Sequence, residues 1–178
     1  RAEFFLMRLV FSVSLILLFL SLSAGVSPAS NSSSAASEAP GSHGVLSTYY
    51  DSGAIEWERQ YQNGKQDGVT RKYFENGRLQ GESTFIAGKL NGVFTTYFEN
   101  GKLESELSYK DDRLEGMSRF FYESGALKRE IHFKNGLREG LARDYYEDGQ
   151  AKAEWLYAGD VLNGQARLYY ESGALRAL

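Results

Sequence analysis

The chain has 178 residues, enough for one domain with its own core, and a formal net charge of −3. This near balance of acids and bases argues against a nucleic-acid partner, because such proteins carry a basic patch. With no cysteine and two histidines, the chain cannot form disulfides, thiolate metal sites or a lipid-attachment site, and a multi-histidine metal site is not expected.

The N-terminal segment has the pattern of an export signal. Arg8 precedes an apolar run over residues 9–20, and small residues follow it. The run is shorter than the roughly 20 apolar residues of a comfortable membrane span. We therefore predict a signal peptide over residues 1–25, with a natural start at Met7 and cleavage near Ala24, and a periplasmic or extracellular location. The alternatives are an uncleaved anchor, the only predicted route to membrane association, or a buried helix.

Residues 26–43 consist almost entirely of Ser, Ala, Asn, Pro and Gly and have no apolar period. Such a segment buries too little apolar surface to offset its ordering entropy. We predict a flexible linker here.

A strict internal repeat begins at Gly44. The same glycine returns every 24 residues, and each copy is followed in phase by an aromatic pair, an acid, a turn glycine and, in every complete unit, a third aromatic. Periodicity of this kind is typical of an array of one supersecondary unit. The predicted repeats are 44–67, 68–91, 92–115, 116–139, 140–163 and a partial 164–178. Their repeat glycines are Gly68, Gly92, Gly116, Gly140 and Gly164.

Two turn signals divide each unit into a β-hairpin. Asn76-Gly77 and Asn100-Gly101 are typical of two-residue type I′ turns, which need positive φ at both positions. A second turn falls at Asn63-Gly64 and its equivalents. The predicted fold is therefore all-β: an elongated single-layer antiparallel β-meander of about a dozen strands, built from 24-residue hairpins.

The turns also predict the register. Residue 50 is expected opposite 55, and 48 opposite 57, so that opposed residues share a sheet face. One face then carries the second aromatic of each pair, the column that begins at Ile55, and the third aromatic. The other face carries the first aromatic of each pair together with charges. Its tyrosines form the candidate binding face: Tyr49, Tyr73, Tyr97, Tyr145 and Tyr169.

A column of carboxylates also recurs with the repeat: Glu58, Glu82, Glu106, Glu130 and Glu154. Equivalent residues lie about 9–10 Å apart, two strands away, a spacing that could fit one acid–base pair but gives no reason for five. The register opposes Arg71 to Glu82, Arg119 to Glu130 and Arg143 to Glu154, while Ser47 and Thr95 could bond the other two. We interpret the column as structural cross-strand pairing; calcium along the row is the alternative.

Nothing else in the sequence indicates catalysis. His132 has no recurring Ser or Asp beside it, and no phosphate-binding or HExxH motif occurs. We predict no enzymatic activity and no cofactor.

The tyrosine ladder is predicted to have a role beyond the core. A single layer cannot cover both of its faces, and tyrosines flanked by Arg and Glu resemble a paratope, with large and fairly rigid amphipathic area. The units vary most in two columns, and variation inside a fixed frame is how repeat proteins acquire specific partners. These columns are Trp57, Gly81, Ser105, Arg129, Ala153 and Arg59, Ser83, Leu107, Ile131, Trp155.

The units GVTRKYFENGRLQGESTF and GVFTTYFENGKLESELSYKDDRLEG resemble MORN repeats of the bacterial variant form. The resemblance covers the chain from Gly44 onwards. It implies an open antiparallel hairpin array without catalytic activity that acts as an interaction or scaffold module. Many bacterial members are labelled antitoxins, and some eukaryotic relatives are associated with membranes or phosphoinositides.

The leading hypothesis is an exported, non-catalytic repeat protein that binds another protein or an envelope polymer through its tyrosine face. The first alternative is an antitoxin or immunity protein, although an antitoxin that neutralises a cytosolic toxin should not carry a signal peptide. The second alternative is a membrane-lipid-associated repeat protein. The last repeat stops at Leu178, so we expect either a fragment or a partner over the final strand edge. The sequence leaves the oligomeric state open.

Overall fold

A computed structural model describes residues 43–177 of the chain, and the predicted signal peptide and all but the last residue of the predicted linker lie outside this range. Between these residues the chain forms fourteen strands and no helix. The strands are β1 (His43–Tyr49), β2 (Ile55–Gln62), β3 (Lys65–Tyr73), β4 (Leu79–Ile86), β5 (Lys89–Tyr97), β6 (Leu103–Lys110), β7 (Arg113–Phe121), β8 (Leu127–Lys134), β9 (Leu137–Arg138), β10 (Gly140–Tyr145), β11 (Ala151–Ala158), β12 (Val161–Leu162), β13 (Arg167–Tyr169) and β14 (Leu175–Ala177).

All strands belong to one antiparallel sheet, and the strands of its main path follow one another in chain order. The main path runs from β1 to β8 and on through β10, β11, β13 and β14, while β9 pairs with β8 and β12 with β11. Short hairpin connections are the reason for this order, because antiparallel strands can be joined by tight turns without a crossover. The all-β meander predicted from the repeat is confirmed.

The first turn of each repeat is not the predicted type I′ turn. Gly77 N–H donates to Phe74 O at 2.8 Å, and Phe74 N–H donates to Arg78 O at 2.8 Å. Gly77 has φ +81°, whereas Asn76 is not among the residues with positive φ. The loop therefore has three residues: a type I turn followed by a glycine in the left-handed conformation, which forms a G1 bulge.

This bulge changes the predicted register beside the first turn. Thr48 pairs with Trp57 as expected, but the pairing then shifts and Tyr49 lies opposite Ile55. The same shift places Leu79 opposite Tyr73. The prediction that residue 50 faces 55 is therefore wrong, because a two-residue loop was assumed where the chain uses three.

Type I′ geometry occurs instead at the second turn. Both central residues have positive φ in Asn63-Gly64 (51° and 71°) and in Asp111-Asp112 (49° and 66°). The flanking residues pair directly, as in Gln62 with Lys65. The mirror-image turn matches the right-handed strand twist, which explains why non-glycine residues accept a positive φ here.

The recurring glycine marks a second register shift. Arg59 pairs with Thr70, but Tyr61 pairs with Gln66, so the third strand carries extra residues around Gly68. Gly68 has φ +107°, and a Cβ there would lie 2.1 Å from Gln60 Oε1. Glycine is needed at this position by both its backbone angle and the close approach of a side chain.

One face of the sheet carries most of the burial, and we call it the buried face. It includes Phe85 and Tyr109 from the third-aromatic column, together with Leu90, Phe94 and Leu107, each at most 8% exposed. Phe85 pairs with Leu90 across the second turn, so the third-aromatic column and this leucine lie on the same face. Small residues such as Thr70 and Ser83 lie between them at 1% exposure.

Hydrogen bonds at both turns join successive repeats. Where the second aromatic of a pair is Tyr50 or Tyr122, its hydroxyl donates to the backbone of the next repeat, to Tyr73 O at 2.7 Å and to Tyr145 O at 2.8 Å. At the second turn, Gly88 N–H donates to Gln66 O at 2.7 Å. Each repeat is thus fixed to its neighbour beyond the strand ladder.

Candidate functional site

The face opposite the buried face carries the predicted tyrosines and charges, and we call it the tyrosine face. Its central row alternates carboxylates with basic or hydroxyl residues across the strands. Arg71 lies opposite both Glu58 and Glu82, and Arg143 lies opposite both Glu130 and Glu154. The row runs through Ser47, Glu58, Arg71, Glu82, Thr95, Glu106, Arg119, Glu130, Arg143, Glu154 and Arg167.

Three of the five candidate tyrosines donate hydrogen bonds to this row. Tyr73 OH donates to Glu58 Oε2 at 2.7 Å, and Tyr145 OH donates to Glu130 Oε1 at 2.6 Å. Tyr169 OH donates to Glu154 Oε2 at 3.0 Å. Each bond spans fifteen residues, from a tyrosine back to the carboxylate on the preceding strand. The rings are therefore held in defined positions on the sheet.

The other two tyrosines are held less firmly. Tyr49 lies on the edge strand β1 and is 45% exposed, and Tyr97 is half-buried. Within residues 43–177, neither hydroxyl has a hydrogen-bond partner. The structure thus places all five tyrosines on one face but fixes only three of them through glutamates.

Two of the predicted arginine–glutamate pairs form as expected. Arg71 Nε donates to Glu82 Oε2 at 2.7 Å, and Arg143 Nε donates to Glu154 Oε1 at 2.9 Å. Arg119 lies opposite Glu130 in the ladder, yet its ion pair is with Glu106 at 3.7 Å. The reason is that Arg119 also faces Glu106 across the other strand boundary, and Glu130 is bonded by Tyr145.

The expected hydroxyl partners are replaced as well. Glu58 accepts its bond from Tyr73 rather than from Ser47. Thr95 Oγ1 donates to the backbone oxygen of Glu82 at 3.5 Å rather than to Glu106. The sequence interpretation missed the tyrosine–glutamate bonds, although the constant fifteen-residue separation between the two columns could have indicated them.

The surroundings of this row shift several pKa values. Burial, with the hydrogen bond to Glu58 second, raises the pKa of Tyr73 above its ordinary value. The hydrogen bond from Arg143 lowers the pKa of Glu154. Both shifts favour the hydrogen-bonding forms, the protonated Tyr73 hydroxyl as a donor and the charged Glu154 carboxylate as an acceptor. This is the pattern of a structural network: each carboxylate is engaged by donors rather than placed to transfer protons.

Exposed aliphatic side chains form a further row on the tyrosine face, one step beyond the glutamates. Val45 and Val93 are 58% and 53% exposed. Leu141 pairs with Leu156, and both remain exposed. Where β12 leaves the ladder, an open groove of about 340 Å³ lies beside them, bordered by Asn163, Gly164, Gln165 and Arg167. Exposed apolar groups rimmed by polar ones are typical of interaction surfaces.

The two columns that vary between repeats lie on the buried face. Trp57 pairs with Lys72, and Arg59 pairs with Thr70. The Arg59 guanidinium carbon lies 4.3 Å from the centre of the Trp57 ring, and Lys72 Nζ lies 5.0 Å from it. Lys72 was not among the residues singled out from the sequence, although its own column of Thr48, Thr96, Phe120, Asp144 and Leu168 is equally irregular.

The same face has a second charged cluster near its other end. Arg129 pairs in the ladder with Asp144 and forms a two-pronged ion pair with it. The two side chains are 22% and 15% exposed. The Arg129 guanidinium carbon also lies 5.8 Å from the centre of the Trp155 ring. Burial of this charge is offset by a matched carboxylate.

Two further features of the described range concern metal ions and membranes. Residues 43–177 contain no group of three or more His, Asp or Glu side chains arranged to hold a metal ion. The same residues contain no helix of the length and apolarity that crossing a bilayer requires.

The repeats also match a known protein family. A family model described as MORN repeat variant matches four consecutive segments, residues 66–87, 90–111, 114–135 and 138–158. These segments carry the hairpins that form most of the sheet, from β3 to β11. No curated protein matches the chain.

Proposed function

Because the chain belongs to the MORN repeat variant family, a class of non-catalytic repeats with interaction and membrane-association roles, we propose that it is an exported scaffold protein. In this proposal the tyrosine face binds an extended segment of another protein. The observation that supports it most is the set of tyrosine–glutamate bonds that hold Tyr73, Tyr145 and Tyr169 in place.

Fixed aromatic rings suit recognition for an energetic reason. Binding a partner costs conformational entropy for every side chain that becomes ordered. The hydroxyls of Tyr73 and Tyr145 are already bonded to glutamates, so their rings are ordered before any partner arrives. Such rings supply apolar contact area, while the neighbouring arginines and glutamates supply polar contacts around it.

The aliphatic row extends the same surface. Val93 and Leu141 are exposed beside the glutamate row, so an extended partner could contact apolar side chains and tyrosine rings at once. The row recurs with the repeat, and a regular surface suits a partner that is itself extended. The acidic and basic groups alternate, which favours a partner segment of mixed charge over a strongly basic or acidic one.

The experiment compares a double variant on the tyrosine face with a control variant at an exposed position on the opposite face. Val93→Arg with Leu141→Arg alters the tyrosine face without removing any tyrosine–glutamate bond. The matched control is Leu162→Arg, because Leu162 is 54% exposed, as Val93 is at 53%, and pairs with Tyr157 on the other face. The tagged full chain is cross-linked in cells, and the attached species are identified by mass spectrometry.

A protein that is cross-linked by the parent and the Leu162→Arg control but lost from the double variant supports the proposal. Unchanged cross-linking by a correctly folded double variant contradicts it. Attachment to protease-resistant material in place of a protein would identify an envelope polymer as the occupant and would also overturn the protein assignment. Replacing Tyr73, Tyr97 and Tyr145 by Ala then tests the rings themselves.

Export is tested separately. Its support is the Arg8 and apolar pattern of the N-terminal segment. We expect the protein recovered from fractionated cells expressing residues 7–178 to lie outside the cytoplasm, with a new N-terminus near Gly25, as measured by intact mass and N-terminal sequencing. An uncut chain in the cytosol would contradict export and favour the antitoxin alternative.

A further inference from the structure

Two basic side chains, a half-buried Arg59 and a buried Lys72, lie side by side on the face opposite the tyrosines. Arg59 and Lys72 flank the indole of Trp57, at 4.3 Å and 5.0 Å from the ring centre. Lys72 is only 7% exposed, as is Trp57. Contacts of cations with an aromatic face are favourable, but they do not neutralise two positive charges that lie next to each other.

Arg59 and Lys72 have no acidic partner within the described part of the chain. Among residues 43–177, no carboxylate lies within 4.0 Å of Arg59 or Lys72. Glu56 acts on both only at longer range. Burial lowers the pKa of Lys72, and the nearby charge of Arg59 lowers it further while Glu56 opposes the shift. A buried ammonium without a counter-charge is costly, and its retention needs a compensating interaction.

A third polar group points to the same place. Thr48 pairs with Trp57 from the other side, so it shares a face with Trp57 and Lys72. Its Oγ1 is buried and has no hydrogen-bond partner in the described part of the chain. Buried hydroxyls are normally bonded. The region therefore combines two unpaired cations, one unused hydroxyl and one aromatic ring.

A similar cluster near the other end of this face contains a carboxylate. Arg129 lies near Trp155, as Arg59 lies near Trp57, and its charge is matched by the carboxylate of Asp144. Asp144 occupies the ladder column of Lys72, three repeats along the chain in the same phase of the hairpin: 72 residues separate them. Asp144 gives Arg129 a carboxylate partner from within the chain, whereas the equivalent position beside Arg59 carries a second cation, Lys72.

We propose that Thr48, Trp57, Arg59 and Lys72 form a binding site for a carboxylate group of a ligand that also has a flat or apolar part. Arg59 and Lys72 bind the carboxylate, Thr48 donates a hydrogen bond, and the indole packs against the apolar part. This site lies on the face opposite the tyrosines and does not depend on the proposed function.

Tryptophan fluorescence provides a direct test. The chain has two tryptophans, so Trp155→Phe leaves Trp57 as the single reporter in the full chain. We expect sodium benzoate to produce a saturable change in Trp57 emission at constant ionic strength, whereas benzamide, of the same shape without charge, produces none. Inorganic phosphate is the second anion; a response to phosphate equal to that for benzoate would overturn the carboxylate assignment.

Charge-removing variants locate the response. Lys72→Met and Arg59→Gln should each weaken benzoate binding by about thirtyfold or more, as expected for a buried charge partner. The matched control Lys110→Met removes one exposed charge and should leave the affinity unchanged. No saturable benzoate response in the parent, or equal weakening by Lys110→Met, would contradict the site.

Thermal unfolding separates binding from folding. Without ligand, Lys72→Met should raise the melting temperature, because it removes a buried charge and keeps the apolar stem. Benzoate should raise the melting temperature of the parent but not that of the variant. A lower melting temperature for unliganded Lys72→Met would mean that the ammonium is a structural group with an internal partner, and the proposal would fail.

The source of the carboxylate is tested with a blocked dipeptide, N-acetyl-Phe-Glu-amide, against its Gln counterpart. Stronger binding of the Glu peptide than of benzoate assigns the site to an acidic side chain of a protein. Binding of benzoate alone assigns it to a free small acid. Binding of neither overturns the proposal.

Discussion

At the scale of single residues, a tyrosine–glutamate bond is present in some repeats and absent from others. Tyr73 is bonded to Glu58 at 2.7 Å, while Tyr97, at the same repeat position, has no hydroxyl partner within the described residues. The two positions therefore provide an internal comparison of what the bond contributes.

We expect Tyr73→Phe to lower the free energy of unfolding by about 1 kcal/mol, because it removes a partly buried hydrogen bond to a charged group. Tyr97→Phe serves as the control and should change it by less than about 0.5 kcal/mol. Urea unfolding followed by circular dichroism measures both. Equal losses in the two variants would show that the bond to Glu58 adds nothing.

The acid dependence of stability should depend on Glu154. Arg143, and then Tyr169, lower the pKa of this carboxyl in the folded chain, and its side chain is 18% exposed. Since the folded pKa is depressed, the stabilisation is present above the ordinary glutamate value of about 4.3 and is lost as the pH falls through the lower folded value.

Glu154→Gln should therefore flatten the decline of the urea midpoint between about pH 5 and pH 3. Glu123→Gln is the control, because Glu123 is an exposed turn residue, and it should leave the decline as it is in the parent. A parent and Glu154→Gln variant with parallel pH profiles would contradict the assignment of this linkage to Glu154.

At the scale of single elements, the two turns of each hairpin differ in what they demand of a side chain. The second turn holds Ala87 at φ 51° and Asn135 at φ 53°. Asn adopts this left-handed conformation more readily than Ala. The two equivalent positions thus carry a well-suited and a poorly suited residue in the same backbone.

Exchanging the two residue types should move stability in opposite directions. Ala87→Asn should raise the free energy of unfolding by about 0.5–1 kcal/mol, and Asn135→Ala should lower it by a similar amount. Urea unfolding at neutral pH measures the change in the free energy of unfolding for both variants. A change of the same sign in both variants would mean that contacts of the side chains, and not backbone strain, dominate at this turn.

At the scale of the whole molecule, the sheet is an array in which each repeat is bonded to the next along the strands and at both turns. Stability in such arrays is close to a sum over repeats and their interfaces. The period of 24 residues also fixes which side chains alternate to each face.

Removing one whole period should leave the architecture intact. We expect a chain without residues 92–115 to keep the strand signal per residue, with a smaller urea m-value because less surface is buried. Removal of residues 92–114 is the control. This deletion is one residue short of the period, so it shifts the strand register by one residue and exchanges the two faces. A control as stable as the 24-residue deletion would contradict repeat-wise packing.

Much of the fold is readable from the chain because periodicity is a local property. The 24-residue phase predicted the hairpins, the antiparallel order and the pairing of Arg71 with Glu82 and of Arg143 with Glu154. It also predicted that the five candidate tyrosines share one face. The turn type was not predictable in the same way, because an Asn-Gly pair fits either a type I′ turn or a type I turn with a bulge at its glycine.

The sequence by itself therefore determined the repeat, the fold class and the two faces of the sheet, since all three follow from the spacing of side chains along one strand pair. Only the tertiary structure decided which side chains meet across the strand boundaries where the register shifts. The register shift beside Gly68 sets the offset between β2 and β3, and that offset places Lys72 against Trp57. Among residues 43–177, no carboxylate lies close enough to pair with this lysine. Contacts across a shifted register depend on the pairing of strands, which no spacing along the chain records.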